Sequence, residues 1–165
     1  CLLNPYAETK FLGEQICVEF PKWCGVEVVV LRLFNVYGSD LAISGKVDCP
    51  SVVEVFLKQI KSGQKLTMIG DGRQRRDFVY VNDVAAAFIA AAESTSVGYG
   101  EIINIGTGVS HPIIEIARLV SCGSVEIGSR YEEAYETLAD ISRAKKLLKW
   151  KPKQDLKKWI MSRIR

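Results

Sequence analysis

A tyrosine and a lysine, four residues apart near the start of the chain, are well suited to acid–base chemistry. Asn4 can accept a hydrogen bond from an unpaired amide, and Pro5 fits a first helical position, so the sequence predicts a helix that begins here. On a helix, this spacing puts Tyr6 and Lys10 on one face. Because a nearby ammonium favours the phenolate form, Tyr6 is a candidate general acid/base poised by Lys10. The alternative interpretation is an ordinary surface pair, since the spacing often arises by chance.

The elements around this pair predict an open, parallel sheet. The helix should run over residues 6–19 and end at Pro21. Residues 26–33 are β-branched and almost continuously apolar, which is typical of a strand buried on both faces of a parallel sheet. Phe34 and Asn35 follow the carboxyl end of that strand, where active sites of open α/β sheets lie. The alternative is that Phe34 is a core residue and Asn35 a turn residue.

Three arginines lie between a tight turn at residues 70–72 and a predicted strand at 77–81. Because a guanidinium matches a phosphate bidentately, Arg73, Arg75 and Arg76 together predict an anion site. The alternative is a surface ion pair with Asp71 or Asp77. We favour that alternative for Arg73 and Arg75.

Two later segments have structural interpretations. Asn82 should cap an alanine-rich helix over residues 83–93. The Gly106-Thr107-Gly108 turn lacks the third glycine and the downstream acid of a dinucleotide fingerprint, so it predicts a structural turn. The single histidine, His111, has no nearby triad or ligand set and is given no role.

The composition excludes several classes of protein. The chain has 165 residues, of which 48% are hydrophobic, enough for one compact unit with a core. Five cysteines without paired spacing argue against a secreted disulfide framework, and no metal site is expected. A net charge of +3 is too mild to indicate nucleic-acid binding. No stretch is long and apolar enough to predict membrane insertion, so we expect a cytoplasmic protein.

Six motifs, taken in order, resemble one family. They resemble the C-terminal half of the extended short-chain dehydrogenase/reductases, specifically the NAD-dependent nucleotide-sugar epimerase/dehydratases, and most closely the UDP-glucose 4-epimerase-like branch. The resemblance covers residues 4 to about 156. The motifs are Tyr6-Ala7-Glu8-Thr9-Lys10, Arg32-Leu33-Phe34-Asn35-Val36-Tyr37-Gly38, Gly70-Asp71-Gly72, Arg76-Asp77-Phe78-Val79-Tyr80-Val81-Asn82-Asp83-Val84, Asn104-Ile105-Gly106-Thr107-Gly108 and Thr137-Leu138-Ala139-Asp140.

The resemblance implies an α/β fold, made of the C-terminal part of a Rossmann-type doubly wound parallel sheet and a small α+β substrate-binding domain. Residues 1–38 would end the Rossmann-type domain with the catalytic helix and strand. Residues 39–165 would form mainly the substrate-binding domain, with 76–108 contributing elements back to the sheet. The N-terminal dinucleotide-binding half, with its glycine-rich loop and a catalytic Ser or Thr, is expected to be absent from this chain. A homodimer of the full-length parent is a further expectation.

The resemblance also implies a site. Tyr6 would take a proton from a sugar hydroxyl while hydride passes to NAD, and Lys10 would hold the nicotinamide ribose. Leu33 and Phe34 would line the nicotinamide end. The residues that would bind a nucleotide-diphosphate sugar, with UDP the favoured nucleotide, are Asn35, Ile69, Arg76, Arg130 and Glu133. Two departures from the family pattern are Ile69 in place of an aromatic residue and Tyr131-Glu132 in place of Pro-Gly.

These features predict part of an NAD-dependent nucleotide-sugar epimerase that acts at C4 of the sugar. A 4,6-dehydratase would use the same tyrosine and lysine, and a non-catalytic nucleotide-sugar-binding module is the alternative from another class. We expect the 165-residue chain to be inactive by itself.

Overall fold

The computed structural model describes residues 4–43, 50–121, 124–127 and 134–164. The helices are α1 Pro5–Cys24, α2 Asp40–Ile43, α3 Val52–Lys61, α4 Val81–Glu93, α5 Ile113–Val120, α6 Ser142–Leu147 and α7 Leu156–Ile164. The strands are β1 Val28–Leu33, β2 Asn35–Tyr37, β3 Leu66–Ile69, β4 Arg75–Tyr80, β5 Tyr99–Ile105, β6 Ser110–Pro112, β7 Ser124–Ile127 and β8 Glu136–Thr137. Within the described ranges, no helix is long and apolar enough to cross a membrane.

Helix α1 begins as predicted and ends later than predicted. Asn4 is its N-cap, with Oδ1 accepting a hydrogen bond from the Ala7 amide at 2.9 Å. Pro21 does not end the helix, which continues to Cys24. A proline in the last turn removes only one backbone donor, so its cost is small there. The helix ends at Gly25, whose φ of 65° allows its amide to donate to the Pro21 carbonyl.

The parallel pair β1–β5 is the sheet beneath α1. Residues Val28 to Leu33 pair in parallel with Tyr99 to Ile105, and α1 packs against both strands. The α/β class with a parallel sheet is confirmed. Full burial of β1 is not observed: its side chains are half-buried or exposed, because β5 is its one partner strand among the described residues.

The remaining strands form two further groups. Strand β4 is central in one of them, parallel to β2 and β8 and antiparallel to β6. Strand β3 pairs in parallel with β7. Because β2 begins two residues after β1 ends, the chain crosses from the first sheet to the second at Phe34. The candidate site residues lie around that crossing.

Two hydrophobic clusters form the core. One joins β3 and β4 to α3, α5 and α7, and its largest fully buried side chains are Tyr37, Phe56, Phe78, Leu57, Leu66, Ile116 and Ile160. The other lies where α4 and α6 meet β5, around Val79, Ala87, Ile103, Ile105, Ala144 and Trp150.

Helix α4 starts two residues before the predicted start, and Asn82 is not its cap. Tyr80 is the N-cap residue, and Asn82 Nδ2 donates instead to the Tyr80 hydroxyl at 3.4 Å. Asp83 is buried, and its Oδ2 accepts from the amides of Lys153 and Gln154 at 3.0 and 2.9 Å. Asp83 thus serves a tertiary contact, and Asn82 a local contact that is not a cap.

Candidate active site

Helix α1 runs antiparallel to β1, because only residues 25–27 connect them. The guanidinium of Arg32 donates to both carboxylate oxygens of Glu14, from Nε and Nη2, at 2.6 Å each. Glu14 lies about 15 Å from the C-terminal end of α1, and Arg32 lies about 13 Å from the start of β1. Because residues 25–27 connect these two ends, the similar distances agree with an antiparallel pair. The carboxylate also raises the pKa of Arg32.

Tyr6 and Lys10 lie beyond this contact, toward the carboxyl end of β1. They are about 12 and 6 Å further along the helix axis than Glu14, at a rise of about 1.5 Å per residue. The Lys10 Nζ atom is 5.4 Å from the centroid of the Tyr6 ring, so the predicted shared face is observed. Tyr6 is 70% exposed, and Lys10 is exposed as well. The pair is therefore open to a ligand.

A small cavity lies at the carboxyl end of β1. Its volume is about 290 Å³, and Leu33, Phe34, Asn35 and Thr137 line it. Leu33 is 42% exposed although its side chain is apolar. The Phe34 amide donates to the Ile105 carbonyl at 3.0 Å, which holds this crossing against β5. The two predicted nicotinamide-end residues are thus adjacent in one cavity.

A larger cavity of about 540 Å³ brings together three of the predicted substrate-binding residues, Asn35, Ile69 and Arg76. Asn35 lines both cavities, so it lies at their junction. The volume is within the range of about 300–1,000 Å³ found for small-molecule sites. The remaining lining residues were not predicted: Pro50, Ser51, Val52, Val55, Thr67, Met68, Gln74, Phe78 and Ile113.

Backbone and side-chain contacts orient the polar groups of this cavity. Asn35 Nδ2 donates to the Asp77 carbonyl at 3.1 Å and to Thr137 Oγ1 at 3.4 Å. Within the described part of the chain, Asn35 Oδ1 has no donor, which leaves this oxygen able to accept a hydrogen bond. Arg76 Nη1 donates to the Arg75 carbonyl at 2.8 Å, which fixes one edge of its guanidinium.

The other arginines have structural partners. Arg73 pairs with Asp71 at 3.4 Å on the surface, as predicted. Arg75 pairs at 3.0 Å with Glu136, rather than with Asp71 or Asp77. This partner is 61 residues away in the chain, so local sequence could not indicate it. Arg130 and Glu133 lie outside the described residues.

The carboxylate of Asp77 joins the 106–108 turn to the segment that contains Ala139. Asp77 is fully buried, and its Oδ1 accepts from the amide and hydroxyl of Thr107 at 2.8 and 2.6 Å. Its Oδ2 accepts from the amides of Gly108 and Ala139 at 2.8 and 3.2 Å. Because the turn's amides bond to this carboxylate, the structural interpretation of residues 106–108 is supported. The sequence contains a sign of this role, because Asp77 directly precedes the apolar pair 78–79 and such a neighbour favours burial of the carboxylate. A buried charge must be compensated by hydrogen bonds or an opposite charge.

A family model described as the NAD dependent epimerase/dehydratase family matches residues 2–106. A UDP-glucuronate 4-epimerase of Thermodesulfobacterium geofontis is 36% identical over 91% of this chain and 46% of that protein. Curated relatives also include UDP-glucuronic acid decarboxylases of Arabidopsis thaliana and Danio rerio. The chain therefore spans about half the length of the epimerases that it matches.

Two crystal structures are similar over nearly the whole chain. One is a UDP-glucose 4-epimerase of Thermotoga maritima with UDP-glucose, with a TM-score of 0.86 and 30% identity, covering 97% of this chain and 52% of that one. The other is a UDP-glucuronic acid 4-epimerase of Bacillus cereus with UDP-glucuronic acid and NAD, with a TM-score of 0.83 and 32% identity, covering 98% and 52%.

Proposed function

This chain belongs to the NAD dependent epimerase/dehydratase family, and we propose that it is the substrate-side half of a UDP-sugar 4-epimerase. The natural protein that contains it would invert the configuration at C4 of the sugar. The catalytic residues of this half are Tyr6 and Lys10. Its substrate-binding residues are Asn35, Ile69 and Arg76, with Arg130 and Glu133 as further ligands of the diphosphate and ribose.

The observation that carries this proposal is the pair of cavities that meet at Asn35. The larger one offers a half-buried apolar side chain, Ile69, for a nucleobase and one guanidinium, Arg76, for a diphosphate. The smaller one lies at the strand end beside Phe34. A nucleotide in the larger cavity would direct its sugar toward Asn35 and the face that carries Tyr6.

The described residues fit the nicotinamide end of NAD, because apolar Leu33 and the Tyr6–Lys10 pair are exposed instead of packed in the core. Bound NAD would supply a reversible hydride acceptor for the sugar. Lys10 would bind the nicotinamide ribose through its ammonium and keep a positive charge near the phenol. Tyr6 would accept the proton of the sugar C4 hydroxyl and return it after the ring has turned over.

The alternative reactions all begin with oxidation of the sugar at C4, and they differ in the product. An epimerase returns the substrate with inverted C4, a decarboxylase releases carbon dioxide from a glucuronic acid, and a 4,6-dehydratase releases water. We favour epimerisation because two relatives named as 4-epimerases are 35% and 36% identical to this chain, whereas the decarboxylases of Arabidopsis thaliana and Danio rerio are 31% identical.

The direct test is product analysis with the natural full-length protein. UDP-glucose and UDP-glucuronic acid would each be incubated with the protein, and the products identified by proton NMR. We expect the C4 epimer of one of them and no turnover in the Tyr6→Phe variant. Carbon dioxide or a 4-keto-6-deoxy sugar as the product would replace the epimerase assignment. Turnover by Tyr6→Phe at the wild-type rate would contradict the catalytic role.

A second test concerns the nucleotide alone. Arg76→Ala should weaken UDP binding by about 10- to 100-fold, since hydrogen bonds to a charged group contribute about 1.5–3 kcal/mol. Arg73→Ala is the matched control, because Arg73 is 77% exposed and pairs with Asp71. It should change the affinity by less than about twofold. Titration calorimetry with UDP measures both variants, and equal losses would exclude a specific role for Arg76.

A further inference from the structure

The contact between Glu14 and Arg32 joins the helix of Tyr6 and Lys10 to the strand that leads into the site. Both carboxylate oxygens and two guanidinium nitrogens take part, at 2.6 Å each. Such a two-point pair fixes the relative orientation of its partners as well as their distance. On the helix, Glu14 follows Lys10 by four residues and Tyr6 by eight, so all three lie on one side.

Within the described residues, α1 packs against β1 and β5 through side chains that are only partly buried. No residue of α1 is buried, and several of its large apolar side chains are exposed. The backbones of helix and sheet approach closely at Gly100 of β5, where an added Cβ would lie 2.7 Å from the Val18 carbonyl oxygen. That approach sets the distance between helix and sheet. The Glu14–Arg32 pair adds a second fixed point, between the helix and β1.

The position of Arg32 on β1 makes the pair relevant to catalysis. Arg32 comes directly before Leu33 and Phe34, which line the small cavity. Phe34 lies about 6–7 Å beyond Arg32 along the chain, and Lys10 lies about 6 Å beyond Glu14 along the helix. The distance along the strand and the distance along the helix are therefore nearly equal. The pair therefore aligns the Lys10 turn of the helix with the end of the strand.

The pair is partly buried, since the Arg32 side chain is 50% exposed and the Glu14 side chain is 9% exposed. Breaking it can therefore affect stability as well as position, so folding is measured beside activity. A displacement of about 1 Å in a catalytic group can reduce a rate by about 100-fold. We infer that Glu14 and Arg32 are positioning residues, which hold Tyr6 and Lys10 level with the strand end where the sugar reacts. This inference rests on the proposed function.

The test uses Glu14→Gln and Arg32→Lys in the natural full-length protein. Arg32→Lys keeps the positive charge and replaces the two-point contact with a single donor. We expect kcat to fall by about 10- to 100-fold in both variants, while the KM for the UDP-sugar and the Kd for UDP stay within about twofold. The nucleotide affinity is preserved because Asn35 and Arg76 lie on other elements.

The matched control is Glu19→Gln, which breaks the exposed pair between Glu19 and Lys22 on the same helix. It should leave kcat unchanged. Wild-type kcat in both test variants would overturn the inference, as would a parallel loss of UDP affinity or of the folded state, since either would assign the pair to stability. Tyr6→Phe is assayed alongside. If that variant is inactive while the pair variants are normal, only this inference fails; if it is active, the proposed function fails too.

Discussion

Replacing Asp77 by asparagine should destabilise the protein strongly, although the two side chains have nearly the same shape. The carboxylate accepts four hydrogen bonds, from Thr107, Gly108 and Ala139. An asparagine can keep two of them on its oxygen, and its amide nitrogen would then face two donors. A buried donor without an acceptor costs about 1–3 kcal/mol, so the expected loss is about 2–6 kcal/mol. That is a large part of a total stability of about 5–15 kcal/mol.

Chemical denaturation of wild type and Asp77→Asn measures this loss, and Asp71→Asn is the control. Asp71 is exposed and pairs with Arg73, so its replacement should cost less than about 1 kcal/mol. Hydrogen exchange then tests the location of the effect, because the amides of Thr107, Gly108 and Ala139 should exchange faster in Asp77→Asn. Equal unfolding midpoints for the two variants, with unchanged exchange at these amides, would refute the role assigned to the carboxylate.

Three other substitutions follow from close contacts and one ion pair. Gly100→Ala should cost about 1–3 kcal/mol, measured by thermal unfolding, because φ is 89° and the new Cβ would lie 2.7 Å from the Val18 carbonyl oxygen. Gly106→Ala should cost a similar amount in the same assay, since its Cβ would lie 2.5 Å from the Ala139 Cβ. Wild-type stability of either variant would contradict the corresponding contact. Lys157 lowers the pKa of Glu115, so this carboxylate stabilises the fold above its ordinary pKa of 4.5 and loses that contribution as the pH falls through the lowered value. Glu115→Gln should therefore reduce the acid-induced loss of unfolding free energy between about pH 6 and about pH 3 by about 0.2–1 kcal/mol, measured by urea denaturation at both pH values, and an unchanged loss would contradict this.

Local sequence signals predicted the parts of the site that depend on neighbours in the chain. Asn4 and Pro5 placed the helix start, and the four-residue spacing then put Tyr6 and Lys10 on one face. The apolar run before Phe34 placed the strand end. These inferences succeed because helix caps and strand runs are decided within a few residues.

Tertiary contacts decided what the local signals missed. One difference is local, since Pro21 lies inside α1 because the αL conformation of Gly25, four residues later, ends the helix. The partner of Arg75 proved to be Glu136, and the acceptor for the 106–108 turn proved to be Asp77. Each pairing crosses 30 residues or more of the chain. Periodicity and propensity carry no information about such pairs, although the buried charge itself required some partner.

The buried carboxylate of Asp83 also constrains when the chain can finish folding. Its donors are the amides of Lys153 and Gln154, and Trp150 Nε1 donates to the backbone carbonyl of Asp83 at 2.9 Å. These contacts close loops of 67 to 71 residues. During synthesis, α4 emerges well before these donors, so we expect the Asp83 carboxylate to stay hydrated until they arrive. Contacts of such long range slow folding. Residues 150–154 thus complete this part of the fold late. We expect synthesis that stops before residue 150 to leave the second hydrophobic cluster exposed to association with other chains.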